Sequence, residues 1–378
     1  MHDKTILILS PQAWGTMFLS KHHYALALAK RGNRVYFLNP PTVRSVQSSV
    51  QAITRRQVEQ GLYVIDHVLF FPYRLKFHFM PVFHWFMRFQ VKRIVKSIPQ
   101  SIDIVWSFDL GNLYPFKFFQ NVKYKIFHPV DEPLNSAALV SAIGADIMFS
   151  VTREILLKYS HLKIKEHFMN HGLAADFLEP LNVVKQPSNA LRVGISGNLL
   201  LSEIDRETLL LIIEENQHAI FEFWGSYDIS QSNIGGSTDP ETLRFIDQLT
   251  SKRNVILHGP VNVRTLATAL HSVDVFLICY DVQRGQSKGT NSHKVMEYLS
   301  TGKVIVANNI STYAELPGLI KMVDDRTNNR KLPGLFQNVI RNLEFHNSAE
   351  LQGRRVTYAS ENSYVNQINR IEEVLCSL

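Results

Sequence analysis

The segment 280–303 combines residue types that could bind a phosphorylated ligand. An apolar stretch ends at Tyr280, and the polar loop that follows carries two cations, Arg284 and Lys288. Three small polar residues stand where the next helix should begin, and any of them could cap it: Thr290, Asn291 or Ser292. The N–H groups at the start of a helix are unpaired and carry a partial positive charge, so this position suits a diphosphate.

Lys294 and Glu297 continue this pattern along the predicted helix. At a spacing of three they lie on nearly the same face as Asn291. Lys294 adds a formal positive charge, and Glu297 could accept hydrogen bonds from the two hydroxyl groups of a ribose. The alternative is a surface ion pair, which contributes only about 0.2–0.5 kcal/mol. Residue spacing alone leaves both interpretations open.

A second group of ionisable residues follows a predicted strand in the first half of the chain: His128, Asp131 and Glu132. Each could act as a general base toward a hydroxyl group, or could cap the turn that follows. Asp109 is a weaker candidate at a similar position. Gly15 would let the backbone approach a ligand or would only shape a turn. His22 and His23 are expected to be ordinary residues at a helix start.

The positive charge of the chain is uneven. The formal net charge is +7, but residues 1–180 hold 21 Lys and Arg against 12 Asp and Glu, whereas the remainder holds 19 against 21. Residues 67–102 contain no acidic residue and many aromatic ones. If Pro81 opens a helix, a spacing of four places three cations in one stripe: Arg88, Lys92 and Lys96.

This basic, aromatic segment has three possible readings. A helix of this kind can lie on an anionic membrane, where each cation contributes about 1 kcal/mol. It can equally be a core-packed helix with a solvated face, because amphipathicity alone discriminates weakly. Nucleic acid is disfavoured, since the sequence has no zinc module, RNA-binding aromatic signature or basic tail.

Length and patterning predict two α/β domains. At 378 residues the chain exceeds one ordinary core, and its strands and helices alternate as in βαβ units. A linker-like composition at 179–190 places the first domain at 1–180 and the second at 190–360, with 361–378 as a candidate addition to the first. The carboxyl ends of both sheets would then face a ligand-binding cleft.

The same features predict a cytoplasmic location. No apolar stretch approaches the roughly 20 residues of a membrane span, and the start of the sequence lacks the features of a secretory signal. The two cysteines, Cys279 and Cys376, provide neither a disulfide framework nor metal-ligand spacing. The basic segment adds peripheral binding to the inner face of the cell membrane as a possibility.

Residues 291–307, Asn-Ser-His-Lys-Val-Met-Glu-Tyr-Leu-Ser-Thr-Gly-Lys-Val-Ile-Val-Ala, resemble the donor-binding signature of GT-B glycosyltransferases, in particular glycosyltransferase family four and its bacterial relatives. That signature is a small or Pro-rich turn, a Lys, and then Glu-Tyr/Ala-Leu-small-x-Gly-Lys-x-Val-Val-Ala. The resemblance extends over most of the chain, through six further stretches: 145–150, 171–173, 193–199, 204–205, 254–260 and 266–280.

The resemblance implies a GT-B fold, with two Rossmann-like domains facing each other across a cleft. The second domain would bind a nucleotide sugar and the first an acceptor. Glu297 would bind the ribose, Gly197 and Asn198 would belong to the glycine loop, and the nucleobase would lie near Gly259 and Val261. The reaction would need no metal or other cofactor, because a helix dipole and basic side chains can stabilise the leaving diphosphate.

One position departs from the family pattern. Family four usually has a Glu eight positions before the ribose-binding Glu, and this chain has Gly289 there. Contacts to the transferred sugar would then come from Lys288, Asn291 or Ser292. Both the donor sugar and the choice between retention and inversion are left open.

The sequence thus predicts a hexosyltransferase-like enzyme that moves a sugar from a nucleotide diphosphate sugar to a glycan or a lipid-linked acceptor, in bacterial surface polysaccharide synthesis. Two alternatives are kept: a nucleotide-sugar epimerase of similar double-Rossmann form, and a catalytically inactive nucleotide-sugar-binding protein. A dehydrogenase is disfavoured, because Gly194 and Gly197 do not form a Gly-x-Gly-x-x-Gly motif.

Overall fold

The structure is a computed structural model that describes residues 1–15, 18–42, 53–179, 190–231, 236–284 and 291–378. Contacts divide the chain into two compact units, Met1–Asn170 with Val365–Leu378 and His171–Tyr364. Most of the predicted linker, residues 180–189, lies outside the described ranges. The division itself falls earlier, between Asn170 and His171.

The first unit contains an eight-stranded sheet in the order β3-β4-β2-β1-β5-β6-β7-β8. Its strands are β1 Thr5–Leu9, β2 Arg34–Leu38, β3 Ile53–Glu59, β4 Leu62–His67, β5 Ile104–Ser107, β6 Tyr124–Phe127, β7 Ile147–Ser150 and β8 Lys165–Phe168. Its first helices are α1 Ser20–Lys30, α2 Leu75–His78, α3 Met80–Lys96, α4 Ser136–Val140 and α5 Arg153–Tyr159. Neighbouring strands are parallel except β3 and β4, which form an antiparallel pair.

The central strands of this sheet are buried along their whole length, as in β1, β5 and β7. A parallel sheet covered on both faces requires such continuous apolar runs, which is why these strands could be predicted. The β3–β4 pair was not predicted. Strand β3 is mostly exposed and carries Arg55, Arg56 and Glu59, so its sequence lacks an apolar run.

The second unit contains a six-stranded parallel sheet in the order β11-β10-β9-β12-β13-β14. Its strands are β9 Leu191–Ser196, β10 Ala219–Trp224, β11 Val255–Gly259, β12 Val275–Ile278, β13 Val304–Ala307 and β14 Lys321–Met322. Its helices are α6 Arg206–Glu215, α7 Pro240–Ser251, α8 Val263–His271, α9 Lys294–Ser300, α10 Leu332–Arg341, α11 Leu343–His346 and α12 Ala349–Glu361. The predicted α/β class with parallel sheets is confirmed.

A final helix, α13 Tyr364–Cys376, supplies the C-terminal part of the first unit. Its buried Gln367 donates a hydrogen bond to the carbonyl oxygen of Asn170 at 2.6 Å and accepts one from the hydroxyl group of Tyr24. Ile368 and Ile371 are fully buried. The end of the chain is therefore part of the core of the first unit.

Candidate functional site

The central feature of the second unit is a gap between β9 and β12. These strands pair at only two positions, Val193 with Val275 and Gly194 with Phe276. Beyond them, β9 continues alongside β10 and β12 alongside β13. The order of the strands reverses at this place, and parallel sheets bind ligands at the carboxyl edge of such a switch point. A cavity of about 30 Å³, roughly the volume of one water molecule, lies at the gap.

Two glycines interlock at this edge. Gly197 follows β9 with φ +127°, and Gly225 follows β10 with φ +146°, both of which favour glycine. The Gly197 N–H donates to the carbonyl oxygen of Trp224 at 2.7 Å. A Cβ atom on Gly225 would collide with the Gly197 carbonyl group, so the two backbones pass each other without room for side chains.

Lys294 occupies the space above Gly197. A Cβ atom on Gly197 would collide with the lysine Nζ and Cε atoms, so any other residue here would push the end of the lysine side chain aside. The Nζ atom donates a hydrogen bond to the hydroxyl group of Tyr280 and lies 5.0 Å from the centre of its ring. The structure thus brings together the predicted Lys294 and Gly197 with Tyr280, and it directs a positive charge to the glycine loop.

Helix α9, which carries Lys294, is anchored by Tyr298. The Tyr298 ring stacks on Phe276 at 4.0 Å, and its hydroxyl group accepts a hydrogen bond from the Ser196 N–H at 2.6 Å. Because both contacts are fully buried, the helix is tied to β9 and β12. Tyr298 is part of the sequence motif, but the motif does not indicate its anchoring role, which depends on these non-local contacts.

The start of α9 differs from the prediction. The helix begins at Lys294 with His293 as its N-cap, and no side chain caps it. Asn291 and Ser292 are therefore not the caps, and Thr290 lies outside the described residues. The backbone carbonyl oxygens of Ser292 and His293 instead accept hydrogen bonds from the N–H groups of Val295 and Met296, at 3.1 Å each. With only seven residues, α9 has a small dipole of its own, and Lys294 supplies the formal charge.

Glu297 lies one turn after Lys294, and its side chain is half-buried. Burial raises the pKa of Glu297 to about 7, and the nearby positive charge of Lys294 opposes this rise. The carboxyl group therefore changes its charge near neutral pH. A half-buried carboxylate of this kind is well suited to accept hydrogen bonds from ligand hydroxyl groups.

The other predicted donor-site residues have different surroundings. Asn198 is buried, and its Oδ1 accepts from the Leu200 N–H at 3.0 Å, which stabilises the glycine loop. Gly259, with φ +74°, is the last residue of β11, and its carbonyl oxygen accepts a hydrogen bond from the Gly225 N–H at 2.9 Å. Val261 is half-buried against the core that includes Trp224.

The remaining predicted donor-site residues lie between Tyr280 and helix α9. Arg284 is exposed and lies 3.5 Å from Asp281 and 4.0 Å from Glu241, so its charge is shared with surface carboxylates. Lys288 lies outside the described residues. Asn291 is buried and Ser292 is half-buried. The edge of His293 packs against His171 at 6.1 Å, a neighbour that the sequence could not indicate.

In the first unit, the three predicted catalytic residues have distinct environments. His128 is 1% exposed and packs among aromatic rings, with Phe108 at 5.1 Å and Tyr24 at 5.5 Å. Glu132 forms an ion pair with Lys158. Asp131 is exposed. Of the three, Asp131 is thus the most accessible to a ligand in this structure.

Lys21 is a polar residue that sequence reasoning missed. It is 1% exposed in the first turn of α1, and it donates a hydrogen bond to Gln12 in the loop that carries Gly15. Burial lowers the pKa of Lys21 to about 8, and the negative charge of Asp131 acts in the opposite direction. A buried lysine close to Asp131 therefore lies at the carboxyl edge of β1.

Asp109 has a structural role, and His22 and His23 lie in the first turn of α1. Asp109 is buried and accepts hydrogen bonds from the N–H groups of Gly111 and Leu113, both at 2.7 Å, so it stabilises its own loop. His22 accepts from the Leu19 N–H at 3.0 Å at the start of α1. Burial lowers the pKa of His23 to about 4.

Helix α3 has the predicted proline in its first turn and the predicted basic stripe. Arg88, Lys92 and Lys96 are exposed, whereas Phe83, Met87, Val91 and Ile94 are buried. Within the described ranges, no helix is long and apolar enough to cross a membrane. The same ranges contain no group of three His, Cys, Asp or Glu side chains arranged to hold a metal ion.

Comparison with known proteins gives matches among solved structures only. Neither a family model nor a curated protein sequence matches the chain. Sucrose-phosphate synthase from Thermosynechococcus elongatus matches with a TM-score of 0.73 and 11% identity over 99% of both chains. The trehalose 6-phosphate synthase from Burkholderia multivorans matches with a TM-score of 0.69 and 12% identity over 100% of this chain and 97% of that one.

Anabaena HepE, solved in complex with UDP and glucose, matches with a TM-score of 0.63 and 14% identity over 100% of both chains. Identities this low show the fold alone. The chain therefore has the fold of GT-B glycosyltransferases, as predicted. Membership of glycosyltransferase family four stays a prediction.

Proposed function

We propose that this chain is a glycosyltransferase that moves a sugar from a nucleotide diphosphate sugar to an acceptor hydroxyl group. The observation that carries the proposal is the approach of Lys294 to Gly197 at the switch point of the second sheet, with Glu297 one turn after the lysine. The lysine ammonium group suits a diphosphate, and the carboxylate one turn later suits the hydroxyl groups of a ribose. The fold match to HepE, solved with UDP and glucose, supports this assignment.

In this proposal Lys294 supplies the electrostatic part of catalysis. Negative charge builds on the diphosphate as the bond to the sugar breaks, and a cation fixed beside it stabilises the transition state more than the ground state. The Tyr280 hydroxyl group and the absence of a side chain at Gly197 keep the ammonium group in position. The transfer is proposed to be metal-independent and hexosyltransferase-like.

The acceptor is assigned to the first unit. Asp131 would act as the general base in an inverting reaction or would orient the sugars in a retaining one. Buried Lys21 lies within electrostatic reach of Asp131 and would add a positive charge beside it. The basic, aromatic surface of α3 supports a lipid-linked acceptor and peripheral binding to the inner face of the membrane, as expected in the synthesis of a bacterial surface polysaccharide.

The experiment is a thermal-shift panel of UDP-, GDP-, dTDP- and CMP-sugars, followed by a product assay with and without acceptor. We expect one nucleotide class to raise the Tm. Glu297→Ala should abolish that shift and leave the Tm of the free protein nearly unchanged. Glu215→Ala, which removes an exposed carboxylate of α6, is the matched control and should retain the shift.

Two results would replace the proposal. Conversion of the nucleotide sugar without any acceptor would identify an epimerase. Nucleotide binding without hydrolysis or transfer would identify a binding protein that lacks catalysis. A loss of the shift in the Glu215 variant as well would show that the effect is not specific to the site.

A further inference from the structure

A groove of about 970 Å³ runs along α3 in the first unit. One wall is a face of the helix from Met80 to Lys96, and the opposite wall is formed by residues 100–102 and 117–122. None of the residues proposed for donor binding or for catalysis lines it. The groove is therefore separate from the candidate donor site and the candidate base, and only the membrane-binding part of the proposed function uses residues that line it.

Four cations line the groove, three from the helix stripe and one from the opposite wall: Arg88, Lys92, Lys96 and Lys117. No Asp or Glu lines it, and in the part of the chain that the structure describes none of the four forms an ion pair. His84 also lines the groove, and burial lowers its pKa, with a further lowering from the charge of Lys117. Such an uncompensated positive charge favours an anionic ligand.

The two ends of the groove differ in polarity. Met80, Pro81 and Trp85 line the end at the start of α3, whereas Lys96, Gln100 and Ser101, together with the apolar Val95 and Ile102, line the other end. The helix rise of about 1.5 Å per residue separates these ends by roughly 24 Å. The lining therefore fits a ligand with a negatively charged head and a long apolar tail.

Apolar side chains continue from the apolar end onto the surface. Phe77, Phe79, Trp85 and Phe89 are 70%, 63%, 57% and 42% exposed. Exposed aromatic residues in such a cluster mark an interaction surface. An acidic glycan would match the cations but would leave this aromatic cluster in water, whereas a membrane lipid satisfies both.

We infer that the groove along α3 binds a single anionic phospholipid of the membrane, with its phosphate among the four cations and an acyl chain directed toward Trp85. The inference rests on the membrane association included in the proposed function and specifies it as a discrete binding site. It does not depend on nucleotide-sugar binding in the second unit.

The test measures binding of dioctanoyl phosphatidate below its micelle concentration by titration calorimetry. Dioctanoyl phosphatidylcholine and inorganic phosphate serve as comparison ligands. We expect phosphatidate to bind at least about tenfold more tightly than either, because only it offers both the anionic head and the tail. Lys117→Glu should weaken phosphatidate binding by about tenfold or more.

The matched control is Lys123→Glu, a charge reversal on an exposed lysine that does not line the groove, which should change binding by less than about twofold. Unchanged binding in Lys117→Glu would overturn the inference. Equal affinity for inorganic phosphate would show a phosphate site without lipid specificity. Tighter binding of an oligogalacturonate would show a groove for acidic glycans. Either result would overturn the inference.

Vesicle partitioning distinguishes this failure from failure of the broader proposal. A combined Arg88→Glu, Lys92→Glu and Lys96→Glu variant should lose binding to vesicles that contain phosphatidylglycerol. Partitioning like that of the wild type would refute membrane association itself. A different pair of results would refute only the groove. In it, the triple variant loses vesicle binding, while Lys117→Glu keeps both vesicle binding and phosphatidate binding.

Discussion

The carboxyl edge of the second sheet and the α3 surface of the first unit differ in packing and exposure. In the second unit the candidate site is held by contacts that leave no space, such as Gly197 against Lys294 and Tyr298 against Phe276. On α3 the basic residues are exposed, and Phe77 and Phe79, which precede this helix, are exposed as well. The first arrangement suits a small ligand of fixed shape, and the second suits a large and deformable one.

The charges follow the same division. Residues 1–180 carry 21 Lys and Arg against 12 Asp and Glu, while residues 181–378 are close to neutral. In the second unit the Lys294 ammonium group is held beside Gly197, whereas α3 presents a row of exposed cations. We therefore expect substitutions in the second unit to change affinity for one ligand sharply, and substitutions on α3 to act in a graded way.

The largest effect should come from Gly197→Ala. The new Cβ atom would displace the Lys294 ammonium group and strain a residue at φ +127°, so transfer activity should fall by about 100-fold or more. Gly353→Ala, on α12 where a Cβ atom meets nothing within 4 Å, is the control and should keep full activity. Equal activity of both variants would show that the fixed geometry is irrelevant.

Lys294→Met should have the next largest effect. The substitution preserves side-chain length but removes the charge, so calorimetry should show roughly 10- to 100-fold weaker binding of the nucleotide sugar. Lys331→Met removes an exposed lysine before α10 and should leave the affinity unchanged. A wild-type affinity in Lys294→Met would contradict the assignment of the diphosphate to this side chain.

A pH dependence should follow from Glu297. Its pKa of about 7 lies above the ordinary value of 4.5, and ligand hydroxyl groups need the ionised carboxylate as acceptor. Affinity for a nucleotide sugar should therefore fall as the pH decreases through 7 and lose about tenfold by pH 6. Glu297→Gln should bind more weakly and show a flat profile between pH 6 and 8. If the affinity of the wild-type protein does not change between pH 6 and 8, Glu297 does not bind the ligand hydroxyl groups.

The smallest effect should appear in the stability of the α3 surface. Phe77→Ser removes a side chain that is 70% exposed, so the free energy of unfolding should change by less than about 0.5 kcal/mol. Phe83→Ala on the buried face of α3 should cost about 3–5 kcal/mol. Denaturant titration measures both. A large loss in Phe77→Ser would mean that the residue supports the fold rather than an interaction.

Sequence patterns were sufficient where the determining contacts are local. Buried parallel strands such as β2 and β13 read as apolar runs, and the predicted Pro81 lies in the first turn of α3. The spacing of Lys294 and Glu297 survives into the structure because both lie on one short helix. The predicted helix cap was wrong, since a turn at His293 starts the helix without a side-chain acceptor.

Other features depend on residues far apart in the sequence. Lys21 reads as a solvated residue at a helix start, and only the fold shows that it is buried beside Gln12. The fit between Gly197 and Gly225 joins the ends of two strands, so neither glycine signals the other. Strand β3 is polar because it lies at the edge of the sheet, and its pairing is set by the adjacent β4.

The position of α13 also bears on synthesis of the protein. The second unit is continuous in the chain from His171 to Tyr364, but the first unit needs Val365–Leu378 to fill its core. Domains usually mature in the order in which they leave the ribosome. Here the first unit is complete only once residues 365–378 have been translated, so the second unit can finish folding first. A stop codon just before Val365 would leave Gln367, and with it the partner of Tyr24, missing from every copy.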